Sequence, residues 1–151
     1  MLRQEISQAL TTALKAQEKR RMSTLRLILA AVKDRDIANR TAGKDPVGGD
    51  EELLGILGKM VKQREESARI YEEGSRIELA EAEREEIAII SEFLPQQMSD
   101  DEIKQACADV IAEIGAQGLR DMGKCMAVLK ERYAGKMDFT RASAIVKSLL
   151  Q

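Results

Sequence analysis

A chain of 151 residues with 24 Lys/Arg, 26 Asp/Glu and a net charge of −2 makes one domain or two small ones and is no indiscriminate binder of nucleic acid. It contains no histidine, which excludes histidine bases and histidine zinc ligands. Two Tyr and two Phe leave little for stacking on single-stranded bases. The core must therefore be Leu, Ile, Val, Met and Ala, and with only two prolines the composition predicts an all-α fold.

In chain order, Leu2, Ile6, Leu10, Ala13 and Leu14 recur at helical spacing and predict a first helix over 2–17. Lys15, Lys19, Arg20 and Arg21 follow at its C-terminal end, where the dipole favours positive charge. A second helix is expected from a Ser23 cap, carrying Leu25, Leu27, Ile28, Leu29, Val32 and Ile37. Gly43, Pro46, Gly48 and Gly49 predict a mobile loop over 40–50. Asp50 is placed to cap a long third helix that Gly74 stops. A fourth helix is expected over 77–93, ended by Pro95. Ser99 and Glu102 form a capping box for a fifth helix. A sixth runs over 122–133 behind Asp121, and a seventh over 139–150 behind Asp138. The predicted architecture is an N-terminal long-helix domain, 1–95, followed by a C-terminal three-helix bundle tail, 96–151.

Charge is unevenly distributed along this order. Residues 1–50 carry ten Lys/Arg against six Asp/Glu, residues 51–95 six against twelve, and residues 96–151 eight of each. Any RNA contact must then use local patches. No apolar run reaches the roughly 20 residues of a membrane span, and the polar, basic N-terminus predicts no secretory leader. Cys107 and Cys125 fall on inward helix faces, as buried thiols of a reduced, cytoplasmic protein would, with a disulfide or metal site as the minor alternative. No cofactor, metal site or catalytic residue is expected.

Three constellations stand out. Gly123 and Lys124 sit at the opening turn of the sixth helix, where unpaired N–H groups and a partial positive charge favour phosphate. Asp121 opposes this by competing for the same amides, and a glycine that merely lets another helix pack is an equal reading. The basic cluster Lys15, Lys19, Arg20, Arg21 and Arg26 is a second candidate RNA surface, or a solvated helix end. Arg64 falls within the apolar stripe of the third helix, and Glu83 and Glu86 within that of the fourth, made by Leu79, Ile87, Ile90 and Leu94. Isolated buried charges are costly, so Arg64 is expected to meet one or both carboxylates. A register-fixing ion pair is the leading reading and an anion or substrate site the other.

The chain resembles the small stand-alone YqeY family. The resemblance rests on the run Thr24–Lys33, on Lys62-Gln63-Arg64-Glu65-Glu66-Ser67, on Gly74, Arg76, Leu79, Glu83 and Glu86, and on Phe93-Leu94-Pro95-Gln96-Gln97-Met98-Ser99. Ser75 separates a glycine and an arginine that the family keeps adjacent. The tail runs Asp121-Met122-Gly123-Lys124-Cys125-Met126 and Gly135-Lys136-Met137-Asp138 are similar to the tail domain of the B subunit of glutamine-dependent Asp/Glu-tRNA amidotransferase. That tail lies against tRNA, which by resemblance implicates Gly123, Lys124, Lys130, Lys136 and Arg141. Only the tail matches, so the resemblance implies an accessory protein. It would dock tRNA, an amidotransferase or another aminoacyl-tRNA-handling protein, and catalyse nothing alone. Two alternatives stay open: a subunit of a carbon–nitrogen ligase with glutamine as amide donor, its active site supplied by partners, and a protein–protein interaction module with no RNA contact. The sequence leaves the oligomeric state open.

Overall fold

The computed structural model describes all residues, Met1–Gln151, and it is all-α. Seven α-helices occur in the order α1 (Leu2–Ala16), α2 (Lys19–Thr41), α3 (Asp50–Glu73), α4 (Ile77–Ser91), α5 (Asp100–Ile114), α6 (Met122–Arg132) and α7 (Phe139–Leu150), with a 3-10 turn at Leu119–Asp121. The chain divides into two compact units, Met1–Leu94 and Pro95–Gln151.

In unit 1, α3 and α4 form the most extensive helix pair, and α2 packs on α1, α3 and α4. Its core gathers Leu2, Ile6, Leu25, Ile28, Val32, Leu53, Leu57 and Ile90. These residues recur at three and four along each helix, so one face of each amphipathic helix is removed from water. Further along the α3–α4 hairpin the buried residues are Ala68 and Ala80, which are small enough for the two backbones to approach. In unit 2, α5, α6 and α7 contact one another pairwise around Ile103, Cys107, Val110, Cys125, Leu129 and Val146.

Three helix starts differ from expectation. Ser23 is not a cap, because α2 begins at Lys19. Gln17 turns left-handed (φ 56) to close α1, and only Glu18 intervenes before α2 starts, its carbonyl accepting from Met22 N at 2.9 Å. Lys19, Arg20 and Arg21 therefore open α2 rather than close α1, at the end where the dipole disfavours cations. Asp50 does not cap α3. Gly49 takes the cap position and the Asp50 carboxylate accepts from Leu2 N at 3.1 Å. Asp121 does not cap α6 either; its carboxylate reaches back to Gln117 N at 3.0 Å. The capping box of Ser99 and Glu102 forms, and Asp138 accepts from Thr140 N at 2.9 Å.

Other expectations also change. α2 runs to Thr41, into the span read as a loop, and the rest of that span is pinned. Val47 is buried, and Asp36 accepts from Val47 N at 2.7 Å and from Arg3 Nη2 at 2.8 Å. Asn39 donates to Asp45 O at 3.1 Å and to Glu52 at 2.9 Å. α4 ends at Ser91, short of Phe93. Leu14, Leu27, Ile37 and Leu79 are exposed, outside the apolar stripes assigned to them. Gly74 is right-handed (φ −87); the left-handed turn that closes α3 falls on Ser75 (φ 59).

Candidate functional site

In unit 2, Cys125 and Leu129 turn α6 toward the core. At about 100° per residue, Gly123 and Ala127 then lie on the opposite, exposed side, with Lys124 and Lys130 to either flank. Beyond its chain neighbours and the backbone of its own helix, a β-carbon built at Gly123 would meet no atom within 4 Å. Nothing within unit 2 packs against Gly123, so packing of α6 in its own bundle does not require the glycine. Ala127, which sequence reasoning missed, extends the bare strip by one turn; its signal was a small residue at i+4 from Gly123.

The amides before α6 are partly used. The 3-10 turn leads straight into the helix, with Asp121 N donating to Gly118 O at 2.9 Å. The bond from Gln117 N holds the Asp121 carboxyl below the usual carboxylate range, and the charges of Lys124 and Arg120 add to this. That carboxylate therefore offsets part of the positive field at Lys124. The cations of this unit divide into two kinds. Arg141 pairs with Asp100 on α5 at 2.7 Å, and Arg132 with Glu113 at 2.5 Å. Lys124, Lys130 and Lys136 are exposed and join no such pair. Both partners of the Arg141 pair are more than half exposed, so the pair is worth little and can be exchanged for an external anion. Burial pushes the thiols of Cys107 and Cys125 up, which makes poor nucleophiles of them.

In unit 1 the second basic cluster is split. Arg20 joins Glu85 at 3.3 Å and Arg21 joins Glu92, both on the α4 side. Lys15, Lys19 and Arg26 stay exposed. Two of the five are thus tied to carboxylates at the α4 side, and the other three are not. Arg64 Nε donates to Glu86 at 2.8 Å and its Nη1 to Met60 O at 3.2 Å. Arg64 does not take Glu83. Only 15% and 18% of the two pairing side chains is exposed, so the pair ties α3 to α4 with both charges largely desolvated. An open depression of about 540 Å³ beside α1 is lined by Met1, Gln4, Glu5, Gln8, Thr12 and Arg21, a polar rim that carries one carboxylate and one guanidinium. No group of three or more Asp, Glu or Cys side chains is arranged to hold a metal ion, and no helix is long and apolar enough to cross a membrane.

Comparison with known proteins complements this geometry. The family model described as Yqey-like protein matches residues 3–150. The chain is 36% identical over 112 residues to altered inheritance of mitochondria protein 41, mitochondrial, of Clavispora lusitaniae, covering 71% of this chain and 61% of that protein. It is 30% identical over 95 residues to an uncharacterized protein of Schizosaccharomyces pombe, covering 63% of this chain and 73% of that protein. The chain thus spans less than two-thirds of the Clavispora relative.

Proposed function

We propose that this chain, which belongs to the Yqey-like protein family, is an accessory protein related to tRNA-dependent amidation that docks tRNA or a tRNA-handling protein through unit 2 and catalyses nothing alone. The observation that carries this reading is the outward face of α6, bare at Gly123 and Ala127 and flanked by Lys124 and Lys130. A phosphate backbone can come close to such a face without meeting a side chain, and the lysines supply charge without base readout. Arg141 and Lys136 add exposed cations from the segments that follow.

Titration of the full chain with tRNA at low salt tests the reading. The Lys124→Glu/Lys130→Glu variant should bind about tenfold more weakly or worse, with a shallower salt dependence. Equal affinity of variant and native chain would remove tRNA docking by this face. A second reading, a protein-interaction module with no RNA contact, draws on Ile70 and Ile77, exposed on either side of the α3–α4 turn. Partners retained after nuclease treatment and lost in an Ile70→Ser/Ile77→Ser variant would favour it. We place the protein in the cytoplasm. The Clavispora relative is named as mitochondrial, and fractionation of the tagged chain decides between the two.

A further inference from the structure

A run of one-sign charge lies along α2 in unit 1. Lys19, Arg26, Lys33 and Arg40 recur every seven residues, which at ~1.5 Å per residue spaces them about 10.5 Å apart over about 30 Å. A seven-residue step drifts only about 20° around a helix, so the four form a nearly straight row. All four are exposed. The row lies roughly opposite Thr24, Ile28 and Val32, which turn into the core. The residues between the cations are Ser23, Ala30 and Ile37.

The other cations of α2 behave differently. Arg20 pairs with Glu85 of α4, Arg21 with Glu92 just past the end of α4, and Arg35 with Glu52 of α3. Each of these carboxylates is carried by a helix packed against α2 or by the residue that ends it. None of the four in the row joins an ion pair. Asp34 stands at the edge of the row, and Asp36 on the other side is held by Arg3 and Val47 N, although the charge of Arg40 reaches it. General basicity does not explain the row, because unit 1 carries 16 Lys/Arg against 18 Asp/Glu. A solvated face ordinarily intersperses both signs.

We infer that the outward face of α2 is a docking edge for the backbone of an RNA duplex. A polyanion meets a straight row of cations in any register, and A-form RNA is recognised chiefly through its backbone and shape. An anionic membrane fits less well. An interfacial helix buries a continuous apolar face, and the apolar residues of α2 lie mostly in the core. An acidic protein would need a desolvated anchor at the centre of the contact, where α2 offers Ser23 and Ala30; the one large apolar residue of the row, Ile37, lies toward its end. This inference deepens the RNA-docking reading but rests on a different helix from the one that carries it.

The test measures binding of the full chain to a blunt RNA duplex of about 16 base pairs across a salt series. Three proteins are compared: native, Arg26→Gln/Lys33→Gln, and Lys124→Gln/Lys130→Gln, with helix content checked by circular dichroism. Each phosphate contact contributes roughly 0.9 to the slope of log affinity against log salt. The α2 variant should lose about 2 from that slope and weaken binding at least about tenfold. If it does so while the α6 variant stays native, the α2 edge stands and docking of the duplex through α6 falls. If only the α6 variant loses binding, the α2 inference is overturned and the reading in unit 2 survives. Failure of the native chain to bind the duplex, or an α2 variant that keeps RNA but loses phosphatidylserine vesicles, also overturns it.

Discussion

The hydroxyl of Thr24 is fully buried in unit 1 and has no hydrogen-bond partner. A buried polar group left unmade costs about 1–3 kcal/mol, and valine has nearly the same shape. Thr24→Val should therefore raise stability by about 1 kcal/mol in denaturant unfolding, while Thr24→Ser should not. A destabilised valine variant would mean that the hydroxyl finds a partner in solution. Asn39, the other buried polar side chain, contrasts with it by donating to both Asp45 O and Glu52. Asp36 carries a pH dependence. The Arg3 guanidinium, then the Val47 amide, hold its carboxyl below the usual range. A carboxyl whose folded pKa is depressed binds its proton more readily when unfolded. Its stabilisation is therefore complete above the ordinary carboxylate range, near pH 4, and is lost as pH falls through the lower folded value. Asp36→Asn should lower stability at neutral pH and flatten the acid limb of stability against pH. An unchanged acid limb would show that the latch of Arg3, Asp36 and Val47 contributes nothing there.

Four helices end in the same way, with one left-handed residue followed by a six-to-one backbone bond. The left-handed positions are Gln17 (φ 56), Gly43 (φ 74), Ser75 (φ 59) and Gly115 (φ 64). The closing bonds are Glu18 N to Ala13 O, Lys44 N to Asn39 O, Arg76 N to Tyr71 O and Ala116 N to Ile111 O. Only two of these turns carry glycine, and a β-carbon in that region costs about 1 kcal/mol. Ser75→Gly and Gln17→Gly should each stabilise by about that amount, additively because the sites are distant, and Gly115→Ala should destabilise by as much. Thermal melts of the single and double variants check this, and a neutral Ser75→Gly would refute the strain. These turns also mark what the sequence discloses. Side chains that cap their own helix, such as Ser99 with Glu102 and Asp138, are legible because donor and acceptor are neighbours in the chain. Ser75 was not, because the glycine beside it is the ordinary choice and the backbone put the strained conformation one residue later. Asp50 and Asp121 were misread because each carboxylate found a better amide elsewhere, at Leu2 and at Gln117.

At the scale of the whole chain, the all-α class was legible from composition and spacing, but the fate of individual charges was not. Arg21 and Glu92 stand 71 residues apart in sequence, and only folding reveals that Arg21 is spent on a neighbour while Arg26 is not. Part of the surplus of cations in residues 1–50 and of carboxylates in residues 51–95 is taken up by ion pairs within one unit. Each unit has its own buried cluster, so Pro95–Gln151 expressed alone should keep its helical circular dichroism and melt cooperatively. A fragment without helical signal would show that its core is insufficient at this size.

Cys107 and Cys125 have a practical consequence. They are the only thiols in the chain, both lie in the second cluster and neither touches water. A thiol-modifying reagent can reach them only while that bundle is transiently open, so the labelling rate clocks the breathing of Pro95–Gln151. Met1–Leu94 contributes no signal at all, and the unmutated protein thus carries a stopwatch wired to one of its halves.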